Sequence, residues 1–463
     1  MADPRMSDYA RKRAENMARN AEKLAELGIH EAAKFLQIPI REQQKRKPKG
    51  YKSEKKRPRD EQPLVIRRSL RTRGISPEVG PLKDELSDAK VVPEPEKLDK
   101  LNWEKPVSFS DVRVNDELSD DSVRARIGEA VKGECLVNSE DQRPKDDFEP
   151  LSLKLAEKDV VRIVPEKILS LILLPLSSKL VVAAGDRAGN IGLWDADYNE
   201  ESDESVVHIY RPHRIPVTAI ASAPASFTQI ATCSCDGSVL LMDIDKAAFS
   251  RVFLSDESLS AMSYLAESTH VISIGDYEGD MKLVDARSST VASHWKLHER
   301  RIHSIDSTPQ RPHQVATSSG DGTVSLWDVR VTKRNLATMT HGKAVHSAYF
   351  SPSGDQLAST SYDDHVGLWS GKHNDDPVMI SHNNQTNRWI ATFRAIWSWS
   401  DNYVYIANMS RAIDVISTRE NKLVASLRSE EMTSIPSRLA RHPLLPGVLA
   451  GGTAGGKIFL WRS

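Results

Sequence analysis

The sequence predicts an all-β protein, a seven-bladed β-propeller preceded by a largely disordered N-terminal region with one amphipathic helix. Three observations predict it. First, from residue 150 onward one type of strand ending recurs: Leu193-Trp194-Asp195, Leu241-Met242-Asp243, Leu283-Val284-Asp285, Leu326-Trp327-Asp328, Leu368-Trp369-Ser370, Val415-Ile416-Ser417 and Leu460-Trp461-Arg462. Second, the third residues of these endings lie 48, 42, 43, 42, 47 and 45 positions apart. Third, a turn precedes each ending: Gly185-Asp186, Cys235-Asp236-Gly237, Gly275-Asp276, Gly320-Asp321-Gly322, Asp363-Asp364, Asn408-Met409-Ser410 and Gly455-Gly456. The clearest copy is Thr317–Arg330. There a strand meets Asp321-Gly322, whose residues tolerate positive φ, and a second strand alternates through Val324 and Leu326.

A period of about 40–45 residues with Trp-Asp endings is the signature of a WD-repeat blade, and seven units fall within the usual four to eight. His213, His298 and His341 stand ahead of their repeats, where such repeats carry a Gly-His pair. The chain stops at Ser463, directly after the third strand of the last unit. That blade lacks an outer strand, and an open edge is a liability. Asp159–Val164, just ahead of the first inner strand at Ile168–Leu174, can supply it, so the propeller domain spans 150–463.

The N-terminal part divides by composition. Residues 1–40 form an amphipathic helical segment, with Tyr9, Arg13, Met17, Ala21, Leu24 and Leu27 at three- and four-residue steps before Gly28. Its apolar stripe is narrow, so the helix either sits loosely on a tail or docks in a partner's groove. Residues 41–149 read as a disordered linker, first basic and then acidic. From Arg41 to Arg73 there are 14 Lys/Arg against 4 Asp/Glu, including Lys45-Arg46-Lys47-Pro48-Lys49 and Lys55-Lys56-Arg57-Pro58-Arg59. Such clusters read as nuclear-import signals, which predicts a nuclear location. From Glu78 to Glu149 there are 20 acidic against 11 basic residues, with Leu101-Asn102-Trp103 as a short stretch that could order on a partner.

Composition excludes several classes. The formal charge is −1, so no global excess of either sign points to a partner. Three cysteines (Cys135, Cys233 and Cys235) are too few for a disulfide framework. No apolar run approaches a membrane span, the N-terminus is no secretory signal, and a soluble intracellular protein is expected. Catalytic candidates fail one by one. Gly451–Lys457 has the spacing of a phosphate-binding loop, but Ile458 replaces the hydroxyl that would hold magnesium. His298 and His303 are one residue too far apart for a zinc-protease helix, and Cys233 and Cys235 have no second cysteine pair. The expectation is a protein that is not an enzyme and holds no cofactor or metal.

Two constellations suit binding. The first is Asp-x-Arg after a third strand, at Asp285-Ala286-Arg287 and Trp327-Asp328-Val329-Arg330. A guanidinium there either reaches a partner's carboxylates and carbonyls from the rim or pairs with its own blade's aspartate. The second is the irregular insertion Ser381–Trp397, which carries Gln385, Asn387, Arg388 and Trp389. An arginine and a flat aromatic at a loop tip can hold phosphate and wedge or stack against bases, unless Trp389 is simply a core aromatic. Lys167, Arg300, Arg301, Lys343 and Arg411 fall where the loops of one propeller face should gather, which predicts a basic ring around the loop.

Residues 150–463 resemble the WD repeat-containing protein 76/DNA damage-binding protein Cmr family, related to the small subunit of the UV-damaged-DNA-binding heterodimer. The resemblance rests on His382–Trp397 with Arg388-Trp389 and Phe393-Arg394-Ala395, on Trp327–Arg330, and on Arg411-Ala412-Ile413-Asp414-Val415. Ser7–Leu36 and Arg67–Ile75 resemble the family's N-terminal helix and basic motif. Membership implies a nuclear DNA-binding propeller of the DNA-damage response. It also implies a substrate receptor recruited to a cullin-4 ubiquitin ligase through its damaged-DNA-binding adaptor, with Arg330 and Arg287 at the contact. Asn387-Arg388-Trp389 would occupy the hairpin tip where the damage-binding relative has Phe-Gln-His, which implies general or structure-selective DNA binding. The competing expectation is a chromatin-associated scaffold that binds histones or other chromatin proteins and no DNA.

Overall fold

In the computed structural model the described residues are 101–115, 148–197, 207–224, 226–266, 268–331, 335–370, 376–386 and 389–463. The helix expected in residues 1–40, the basic clusters, residues 116–147 with Cys135, and Asn387 and Arg388 lie outside them.

Seven sheets follow one another around a central channel, each with four consecutive antiparallel strands except where noted below. Their innermost strands are Ile168–Leu173, Val217–Ser222, Leu259–Tyr264, Ile302–Thr308, Val345–Phe350, Ile396–Trp397 and Arg438–Arg441. Blade four continues outward through Arg311–Ser319, Thr323–Asp328 and Ala337–Thr340. Blade seven takes its outer strand from far back in the chain. Lys154–Arg162 runs antiparallel to Lys457–Arg462, pairing Leu155 with Trp461 and Val160 with Phe459. The seam this creates is apolar, with Ile163, Ile168 and Trp194 packed against Ala450, Ile458 and Leu460.

The repeated motifs give four of the blades an internal histidine clasp among the described residues. In blade four the His298 ring lies 3.0 Å from Asp321 through Nδ1 and 2.7 Å from Thr317 Oγ1 through Nε2. The Trp327 indole donates to the same Thr317 oxygen at 2.8 Å. Burial alone would raise the Asp321 carboxyl, but hydrogen bonds from His298 and Thr323 outweigh it and hold the group well below the usual range. His213 with Asp236 and Thr232, and His341 with Asp363 and Ser359, repeat the clasp in blades two and five. In blade six the histidine is His382, buried 3.3 Å from Asp414. The loop that follows therefore starts at Asn383, one residue past a structural position.

The linker expectation over 41–149 needs correction at residues 101–115. Val107–Ser108 pairs with Phe249 and Ala248 as a fifth strand on blade two, and Phe109–Val112 forms one helical turn. Phe109 is 1% exposed, with its ring 4.6 Å from Tyr210 and 5.1 Å from Phe249. The physical reason is that Phe109 and Val112 share one side of the turn and enter the apolar space between blades one and two. Phe109→Ala should therefore destabilise the propeller by about 3–5 kcal/mol, the cost of emptying a buried aromatic site. Denaturant unfolding checks this, and a loss under about 1 kcal/mol would show that the segment is not part of the core.

Candidate nucleic-acid interface

Turns between the second and third strands all reach the same face, here called upper. The residue entering each third strand has positive φ: Gly189 (94°), Gly237 (82°), Gly279 (93°), Gly322 (92°), Asp364 (66°), Arg411 (56°) and Gly456 (77°). The turns lie against the loops that lead to the next blade. A Cβ on Gly189 would sit 2.2 Å from the His213 carbonyl oxygen, and one on Gly279 2.7 Å from that of Arg300. Loops 163–167, 297–301 and 341–344 and the long loop 382–395 thus share the upper face with those turns.

Both feet of the long loop are fixed. Asn384 Nδ2 donates to the carbonyls of Ser361 (2.8 Å) and His365 (3.1 Å), and its backbone N–H to Asp364 Oδ1 at 2.9 Å. At the far foot Phe393 is buried at 1% exposure, and Ala395 N–H donates to Thr360 Oγ1 at 2.8 Å. Between them Trp389 stands 84% exposed. It is no core aromatic: Phe393 fills that place. An exposed tryptophan on a doubly anchored loop is informative because so much apolar area is left in water.

The other expected contacts divide. Arg300, Lys343 and Arg411 are exposed on this face, and Lys167 is half-buried there. Burial, then the charges of Arg187 and Arg438, lowers the Lys167 pKa. Arg301 instead turns inward, its guanidinium 4.0 Å from the centre of the Tyr277 ring. Gln385 is engaged within the protein, donating to Tyr362 O (2.8 Å) and Asp364 Oδ2 (3.0 Å), so it braces the loop rather than presenting an amide. The basic ring also needs correction, because the face is mixed. Asp256, Glu257 and Glu278 are exposed over blades two and three, and Glu299 beside Arg300. Lys343, Arg411, Lys167 and Arg187 mark an arc running from blade five through blade six to blade one, on the side that carries Trp389, with the exposed Glu166 and Glu430 interspersed among them. Arg187 carries no signal of its own in the sequence, where it reads as an ordinary turn residue.

Arg287 and Arg330 leave from the opposite face. Val329 N–H bonds to His313 O at 3.0 Å and Ala286 N–H to His270 O at 2.9 Å, tying these exits to the turns between first and second strands. Arg330 grips Asp328 through two bonds, Nε to Oδ1 at 2.9 Å and Nη2 to Oδ2 at 2.7 Å. That pairing holds the Asp328 carboxyl down at about 2. Arg287 holds Asp285 more loosely, at 3.4 Å. Both guanidiniums remain largely in solvent. Trp327 is the correction in this group: it is 8% exposed and belongs to the blade-four clasp, so it offers no docking surface.

A further basic cluster lies inside. A central cavity of about 690 Å³ is lined by residues from all seven inner strands, including His303, Asp306, Arg394, Arg438 and Arg441. Among the described residues no group of three or more His, Cys, Asp or Glu side chains is placed to hold a metal ion. Gly451–Lys457 is the upper turn of blade seven, where a Cβ on Gly456 would meet Val164 O. Burial pushes the Cys233 thiol up to about 12.

The family model "WD domain, G-beta repeat" matches residues 289–328 and 333–370. Each match begins with the outer strand of one blade and ends with the third strand of the next, the same offset that leaves blade seven to be completed by Lys154–Arg162. "WD repeat-containing protein 76" of Xenopus laevis is 29% identical over 99% of this chain and 80% of its own length. "DNA damage-binding protein cmr1" of Neurospora crassa is 27% identical over 98% of each chain. "WD repeat-containing protein 76" of Rhinolophus ferrumequinum is 28% identical over 99% of this chain and 74% of its own. This chain is a WD-repeat propeller homologous to these proteins. The homology runs along nearly the whole chain, so it includes the stretch ahead of the propeller as well as the repeats.

Arg411 is the position where fold and site conflict. It occupies a left-handed conformation that five other blades give to glycine, at a cost of about 1 kcal/mol for a side chain with a Cβ. Arg411→Gly should therefore raise the stability of the propeller by about that amount, read as a higher Tm. A lower Tm would mean that its bond to Thr433 O outweighs the strain.

Proposed function

We propose that this chain is a nuclear, non-enzymatic DNA-binding propeller of the DNA-damage response, with its upper face on DNA. The observation that carries the reading is Trp389, 84% exposed on a loop fixed at both feet and flanked by the arc of Lys343, Arg411, Lys167 and Arg187. Cations along an arc meet the phosphate backbone, while an exposed aromatic wedges or stacks against bases. The names of the Neurospora relative and its like point the same way. Nuclear action draws on the basic clusters between Lys45 and Arg59. Asn387 and Arg388, beside Trp389 in sequence, complete the proposed contact.

Trp389→Ala should weaken binding to duplex or gapped DNA about tenfold at physiological salt, with an unchanged Tm. Unaltered affinity in a titration at controlled ionic strength would sink the assignment. A histone- or chromatin-binding scaffold without DNA affinity would differ in showing no steep fall of duplex binding with salt.

The opposite face suits a protein partner, read here as the adaptor of a cullin-4 ligase, which would make the chain a substrate receptor. Asp328–Arg330 and Asp285–Arg287 present exposed guanidiniums already aligned on carboxylates. Exposed ion pairs of this kind contribute little to folding, so a partner can share or replace them at small cost. Arg330→Ala should abolish co-purification of the adaptor from nuclear extract, nuclease-treated or not, while DNA affinity stays at the wild-type value. Retained adaptor would remove Arg330 from the contact.

A further inference from the structure

The channel cluster has a property that DNA binding does not use. Among the described residues, three arginines line the cavity, Arg394, Arg438 and Arg441, against a single carboxylate, Asp306. Asp306 belongs to the lower half with Arg441. Burial raises its pKa to about 7, only partly offset by the Phe350 N–H it accepts at 2.7 Å. The upper half has no acid of its own among the lining residues. There Arg438, 8% exposed, donates to the carbonyls of Leu169 (2.7 Å) and Thr392. Arg394 donates to Tyr349 Oη at 3.2 Å and His303 O at 2.9 Å, and its buried Nε has no partner.

Carbonyl dipoles orient these groups but do not cancel their charge. Burial, and then the charge of Arg394, drives the Arg438 pKa well below its ordinary value; an arginine does not deprotonate in response, so the penalty persists as unneutralised charge. His303 is neutral for the same reason, its pKa lowered to about 2 by burial and by Arg301, His346 and Arg394. A site that gathers cations, withholds carboxylates and leaves a buried N–H unpartnered is complementary to an oxyanion carrying more than one charge.

We propose that the upper part of the central channel binds the phosphate group of a small soluble phosphorylated molecule. Duplex phosphates do not suit it, because Arg438 belongs to an inner strand of the channel wall and not to a surface loop, whereas the cavity volume lies in the range of small-molecule sites. The channel wall is a separate place from the loop tip that carries Trp389.

The test is calorimetric titration of the full chain with pyrophosphate, in chloride buffers matched for ionic strength. The expected result is one saturable site per chain, at least about tenfold weaker in Arg394→Gln, with circular dichroism and melting confirming that the variant folds. If Arg394→Gln does not fold, His303→Phe is the second probe; it leaves the backbone carbonyl that Arg394 uses and should also weaken binding severalfold. Trp389→Ala should leave pyrophosphate affinity unchanged, whether or not it affects DNA. Absence of a saturable site in the wild-type chain, equal affinity in the folded channel variants, or mole-for-mole displacement of pyrophosphate by short duplex DNA would overturn the proposal.

Discussion

A sheet that ends in an open edge offers unpaired N–H and C=O groups to any other strand, and every blade here depends on removing that edge from the ring. The solution is the pairing of Lys154–Arg162 with Lys457–Arg462, which joins the two ends of the propeller sequence in one sheet. An ion pair reinforces it. Arg462 Nη2 lies 3.0 Å from Asp159, a carboxylate only 5% exposed, and Arg462 Nη1 lies 3.5 Å from Asp197. Because closure draws the first and last strands together, the apolar seam between blades seven and one resembles the other blade interfaces rather than a chain terminus.

A second circle of contacts runs around the channel. Ser170 donates to Val217 O, Thr218 to Leu259 O and Ser260 to Ile302 O, each crossing from one blade to the next. Ser304 Oγ accepts the Ala348 N–H, and Thr360 Oγ1 that of Ala395. Arg438 completes the circle, bonding to Leu169 O on one side and Thr392 O on the other. A hydroxyl spans one neighbouring gap; an arginine spans two. The ring is thereby closed near the axis by a charged group, which adds to the positive charge that Arg394 and Arg441 bring to the channel.

The upper face separates folding from function by position. Clasp residues such as His298, Thr317 and Asp321 are buried or nearly so and held in complete hydrogen-bond networks. Trp389 and Arg411 contribute little to packing, and Arg411 adds backbone strain. Residues that a fold would discard, standing together on one arc, are where a binding role is sought.

The sequence by itself determined the propeller, its seven units and the strand that closes it. Short-range chemistry specifies these: two-residue periodicity, Asp-Gly turns that need positive φ, and Trp-Asp endings at a regular spacing. It also placed Arg287 and Arg330 together, because they follow equivalent strands. What lay beyond it depended on contacts between residues distant in the chain. Phe109 reads as one aromatic in a polar stretch until blades one and two create the gap it fills. Gln385 and Trp389 are four residues apart in one polar loop, and only the anchoring to Tyr362 and Asp364 decides that one is tied down and the other projects. Arg301 and Arg300 are neighbours, yet the Tyr277 ring of the preceding blade takes one of them. Arg394 and Arg438 lie 44 positions apart, and their meeting in the channel follows from ring closure, since inner strands and the loops that lead into them converge on the axis whatever their separation in sequence.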